Sequence, residues 1–118
     1  MWQSGHFMTV VLSMSMMWMG VLYHHYPVLT GRKLDPALGY LYVKLISVGS
    51  LGAAIVMLAG GAAGMPRRFA DWHPEGWMLY GNLILLFGLI LGASFAVYLY
   101  NLMKSREISA PMGELARA

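Results

Sequence analysis

Residues 7–26 read FMTVVLSMSMMWMGVLYHHY, about 20 positions without a single Asp, Glu, Lys or Arg. At ~1.5 Å rise per residue, a helix of that length crosses a hydrocarbon core roughly 30 Å thick. Trp2 before it and Tyr23, His24, His25 and Tyr26 at its end suit the two interfacial zones. Pro27 predicts the stop, because it lacks the N–H that would continue the helix. The residues before Phe7 lack the basic region and small-residue cleavage site of a signal peptide, so this span is expected to stay in the membrane.

Two more apolar segments follow. The second covers about 38–60 and carries one charge, Lys44, near its first end. Its long stem can snorkel to the interface, and a lysine on a proton path is the functional alternative. Gly49, Gly52, Ala53 and Ala54, then Gly60, Ala63 and Gly64, offer small surfaces for close helix approach. The third covers about 77–103, where Gly88, Gly92 and Ala96 recur every four residues as a second small face. Asn82 on the same segment is expected to hydrogen-bond a neighbouring helix, since an unpaired amide in lipid is costly.

Composition agrees with this reading. The chain is 58% hydrophobic and 11% charged, against roughly 25% charged in soluble domains. Having no cysteine removes disulfides, zinc knuckles, iron–sulfur clusters and thiolate-bound copper. No basic stripe with interleaved aromatics marks a nucleic-acid surface. The expectation is an all-α integral membrane unit over 1–104, with three transmembrane helices, followed by a polar tail over 105–118.

Three spans put the termini on opposite sides. Arg32, Lys33, Lys104, Arg106 and Arg117 fall on one side, whereas only Arg67 and Arg68 fall on the other. The positive-inside rule makes the first side cytoplasmic, with the N-terminus outside. An arginine pair set against that bias calls for an anionic partner.

His6 opens the first helix on the side where Arg67 and Arg68 lie. A haem needs an imidazole for its iron and cations for its propionates, and these three residues supply both. The structural alternatives are an interfacial histidine and arginines that bind lipid phosphate or a nearby Asp. His24 and His25 are adjacent, so they point about 100° apart on a helix and make a poor copper pair. Met8, Met14, Met16, Met17 and Met19 read as packing material rather than a Cu(I) site. Asp71, His73 and Glu75 form a small acidic loop suited to salt-bridging the arginines.

These residues also carry a likeness. Gly5-His6-Phe7, Val11-Leu12-Ser13-Met14, Met19-Gly20, and Tyr23-His24 with Pro27, Leu29, Thr30 and Gly31 resemble the tenth helix of haem–copper oxygen reductase subunit I. Gly64-Met65-Pro66-Arg67-Arg68-Phe69 with Asp71 is similar to that family's arginine-pair loop, and the stretch from Trp77 through Asn82 to Gly88 is similar to the start of its last shared helix. The likeness covers residues 5 to 104.

In that family the tenth helix carries His-x-His, one imidazole for the high-spin haem and one for the low-spin haem. The resemblance puts His6 at the first of these by order and Met8 at the second. The interval from His6 to Tyr23 is one residue shorter than the family's, so His6 fits either haem. Met8 is then an axial thioether or, more simply, a lost ligand. Arg67 and Arg68 inherit the contact with haem propionates. The family's copper histidines, its His–Tyr cross-link and its other low-spin ligand have no counterparts here, so copper is not expected in this chain.

The resemblance therefore implies a membrane subunit or split C-terminal piece of a respiratory terminal oxidase. It would not be catalytic alone, and it would be completed by other oxidase subunits and lipid in a bacterial inner or other energy-transducing membrane. The alternative is a non-catalytic structural subunit of a respiratory complex.

Overall fold

The computed structural model describes residues 1–66 and 75–107. Three helices dominate: α1 (Trp2–Thr30), α2 (Pro36–Ala62) and α3 (Glu75–Met103). Each is long and apolar enough to cross a membrane. Two short strands, β1 (Arg32–Lys33) and β2 (Arg106–Glu107), pair antiparallel, with Arg32 opposite Glu107 and Lys33 opposite Arg106. This pairing fastens the α1–α2 loop to the chain just beyond α3. The rod-shaped unit measures 62 × 21 × 20 Å.

Pro27 does not end α1. The helix runs through it to Thr30 and closes on Gly31, whose φ of 65° places it in the left-handed region. A proline this near a helix end sacrifices one hydrogen bond in a turn that is about to finish, so the cost is small. Gly31 N–H donates to the Pro27 carbonyl at 2.9 Å, and the Thr30 hydroxyl donates to the Tyr26 carbonyl at 2.7 Å. The stop signal is the glycine, which tolerates a left-handed cap without a Cβ penalty. At its start α2 is fixed conventionally: the Asp35 side chain accepts from the Ala37 N–H at 2.9 Å, and Pro36 sits in the first turn.

Central to the unit is α2, which backs onto both α1 and α3. Its buried positions, including Tyr42, Ile46, Gly49, Ala53, Val56 and Gly60, recur every three to four residues. Tyr42 and Ile46 form the core with Met19, and Leu12, Met16 and Tyr23 of α1 pack against them from one side. Leu91, Val97 and Tyr98 of α3 close the other side. The small residues expected on the second segment do bring α3 close: a Cβ on Gly49 would stand 2.8 Å from the Leu91 backbone nitrogen, and one on Gly52 would strike the Phe87 ring.

The small face of α3 behaves differently. Gly88, Gly92 and Ala96 are exposed, and a Cβ on either glycine meets nothing within 4 Å. Asn82 is likewise exposed and makes no hydrogen bond among the described residues. Substituting the two faces should therefore give opposite results. Gly49→Ala should destabilise the chain by about 1–3 kcal/mol, because backbone rather than a side-chain tip blocks the new methyl. Gly88→Ala should be neutral or slightly stabilising, since only helix propensity changes. Thermal unfolding of both variants in one detergent, followed by helical circular dichroism, separates them.

Candidate cofactor site

His6 lies in the first turns of α1, exposed, and its ring makes no hydrogen bond among the described residues. The neighbouring Gly5 is buried, where a Cβ would collide with Leu58 of α2. One side of this turn is thus clamped to α2 while the imidazole projects from the other. Below His6, at helical spacing, Val10, Met14, Met17 and Val21 continue the same exposed face, flanked by Phe7 and Trp18. Phe7, Met17 and Trp18 are 63%, 64% and 60% exposed. An imidazole therefore heads a broad apolar strip with no partner within the described chain.

Met8 lies elsewhere. Residues two apart point about 200° from each other on a helix, and Met8 is half-buried one turn before Leu12, on the flank that packs toward α2.

The arginine pair Arg67 and Arg68 falls outside the described residues, as do Asp71 and His73. The chain leading into the pair is described. Met65 is buried, and the α-amino group of Met1 donates to its carbonyl at 3.4 Å. The beginning of α1, with His6, and the segment ending at Pro66 thus share one end of the bundle.

No three metal-binding side chains cluster among the described residues. His24 and His25 are exposed at the opposite end of α1, with their rings edge to face at 4.8 Å. Lys44 is exposed on α2 and makes no ion pair among the described residues.

Sequence reasoning missed the polar assembly at that second end. Asn101 of α3 is 1% exposed. Its Nδ2 donates to the Tyr23 hydroxyl at 2.6 Å and the Asp35 carbonyl at 3.0 Å, and its Oδ1 accepts from the Asp35 N–H at 2.9 Å. Beside it, Arg32 Nε donates to Ser105 Oγ at 3.0 Å and its Nη2 to the Ser105 carbonyl at 2.6 Å. The Tyr26 hydroxyl meets the same Ser105 Oγ at 3.2 Å. Arg32 is thus committed to the fold, although the sequence offers it only as a loop cation. The available signal was Asn101 itself, an amide at the end of a long apolar helix that needs a partner wherever it is buried.

Three apolar spans joined by short connections define a helical membrane protein. Its relatives are specific. Over 85 residues it is 34% identical to cytochrome c oxidase subunit 1 of Corynebacterium glutamicum, covering 71% of this chain and 15% of that protein. Over 111 residues it is 32% identical to a probable cytochrome c oxidase subunit 1-alpha of Streptomyces avermitilis, covering 92% of this chain and 19% of the relative. Cytochrome c oxidase subunit 1 of Thermostichus vulcanus is 36% identical over 85 residues, covering 71% of this chain and 15% of its own length. The chain is thus related to a piece of cytochrome c oxidase subunit 1, and it spans less than a fifth of the length of these curated relatives. No family model matches it. No solved structure matches it significantly.

Proposed function

We propose that this chain forms the C-terminal helices of a respiratory oxidase core and contacts haem through His6, Arg67 and Arg68. One observation carries the reading: His6 is exposed and unbonded at the head of an unpartnered apolar strip of α1, in a chain related to cytochrome c oxidase subunit 1. That arrangement suits an axial ligand with a porphyrin against the strip. Haem, when bound, supplies one-electron transfer. The protein's part is to bind and orient it. His6 would ligate the iron, Val10, Met14 and Met17 would exclude water from the ring, and the two guanidinium groups would neutralise the propionates. Met8 contributes packing toward α2 rather than a second ligand.

The remaining ligands of a haem–copper centre come from polypeptide beyond these 118 residues. In this reading the His6 end faces outward and the β1–β2 end faces the cytoplasm, in a bacterial inner membrane or another energy-transducing membrane. Charge supports that orientation, because the basic residues crowd at the β1–β2 end.

The arginines provide the test. At an effective dielectric constant of about 20, a unit charge acting over ~8 Å would be worth about 2 kcal/mol. Arg67→Gln and Arg68→Gln should each lower a haem midpoint potential in the purified complex by tens of millivolts, with haem content retained. Spectroelectrochemical titration reads the shift. Unmoved potentials, with impaired assembly instead, would favour the second reading, a structural subunit without a haem contact. Met8, standing where the resemblance expects histidine, is the observation on its side.

A further inference from the structure

The two short strands set a pair of like charges side by side. Lys33 of β1 and Arg106 of β2 stand opposite each other in the antiparallel register, and both are exposed. Directly opposite residues share one face of such a ribbon, with Cβ atoms about 5 Å apart, and like charges placed there are destabilising. Neither side chain makes a hydrogen bond or ion pair among the described residues. Alternation along the strand sends Arg32 to the other face, where the Ser105 hydroxyl and carbonyl hold its guanidinium. Lys104 is engaged as well, its ammonium 5.6 Å from the centre of the Tyr100 ring. The cross-strand pair has no such neighbour among the described residues.

Its depth is also fixed. At ~1.5 Å rise per residue, α2 and α3 are each roughly 40 Å long, and a bilayer measures about 40–45 Å with its headgroup layers included. β1 lies between the end of α1 and the start of α2, and β2 follows the end of α3. The ribbon therefore stands at headgroup level, where phosphodiesters are the concentrated anion. One phosphate placed between the two side chains accepts from both, from Arg106 through its guanidinium fork and from Lys33 as a point charge.

From this juxtaposition we infer that Lys33 and Arg106 together hold the phosphodiester of an anionic glycerophospholipid, and that this lipid offsets the repulsion built into the ribbon. A zwitterionic headgroup brings a cation of its own, so the pair favours a net negative one.

Thermal unfolding of the full chain in dodecyl maltoside tests this through the sign of one substitution. Without anionic lipid, Lys33→Gln should unfold at a higher temperature than the native chain, because the like-charge pair is gone. With palmitoyl-oleoyl phosphatidylglycerol added, the order should reverse. Native mass spectrometry of the chain released from bilayer discs holding equal phosphatidylglycerol and phosphatidylcholine should show phosphatidylglycerol retained in preference. Lys33→Gln and Arg106→Gln should each cut that ratio roughly fivefold. The double variant should lose less than the product of the two, since both cations hold one phosphate. Lys104→Gln should leave the ratio nearly unchanged. A loss in Lys104→Gln equal to that in Lys33→Gln would mean diffuse surface charge and overturn the shared site. So would an unfolding order that stays the same in both media, or an equal rise from soluble glycerol phosphate, which would make the ligand a free phosphate. Efficient cross-linking of Lys33 to a carboxylate of another polypeptide in the assembled complex would overturn it too, by making the face a protein interface. None of these readouts depends on haem.

Discussion

His6→Ala is expected to remove roughly one haem equivalent from the assembled complex or to convert that haem to a spectrum lacking an imidazole ligand. The pyridine haemochromogen assay per unit of protein and the optical spectrum of the reduced complex read the two outcomes. The effect should be large because packing would not replace an axial bond, and a methyl group at this position would leave an open coordination site. The variant is also clean. His6 makes no hydrogen bond among the described residues, and its neighbour Gly5, not the imidazole, carries the contact with α2. Folding of the chain should therefore survive. Added imidazole should restore part of the original spectrum by entering the vacated space. Met8→Leu is the internal control and should leave haem content and potential unmoved, since its side chain lies on the α2 flank. Full haem content with an unaltered spectrum in His6→Ala would remove the ligand claim outright.

The parts of this molecule that were legible from sequence are those governed by solvent. Long apolar runs have one low-cost arrangement in a bilayer, so the three helices could be read from residues 7–26, 38–60 and 77–103. Their ends were less legible. Pro27 looks decisive in isolation, yet a proline near the last turn costs little, and Gly31 holds the conformation that ends α1. Small residues were informative about the kind of contact and silent about its direction: Gly49 and Gly52 meet α3, whereas Gly88 and Gly92 face away from α2. Choosing between such faces requires knowing which side of each helix the neighbour occupies. At the candidate cofactor site, the orientation of the side chains was not readable. His6 and Met8 are two apart, and only the rotation of α1 against α2 shows which of them faces outward. The Asn101 assembly was hidden for a related reason. Its members are 66 to 78 residues apart in sequence, so no local pattern joins them.

That assembly leads to the second large effect, on stability rather than cofactor. Among the described residues, Asn101 is the single side chain bonded both to the Tyr23 hydroxyl of α1 and to the two backbone groups of Asp35 at the start of α2. Asn101→Leu deprives the Tyr23 hydroxyl and the Asp35 N–H of their partner, while the Asp35 carbonyl keeps its bond from the Gly39 N–H. Each buried group that loses its partner costs about 1–3 kcal/mol, so a total loss of roughly 2 kcal/mol or more is expected from these two groups. Tyr23→Phe, which deletes only one member, should cost about 1 kcal/mol. In the double variant the second change should cost less than it does alone, because its partner has already gone, giving a coupling of at least ~0.5 kcal/mol. Denaturation of the four proteins in mixed detergent micelles supplies the cycle. Additive losses would show that Asn101 and Tyr23 act independently and that the amide is not what ties α3 to α1. A larger deficit for Asn101→Leu than for Arg32→Gln would place the stronger tie in the buried amide.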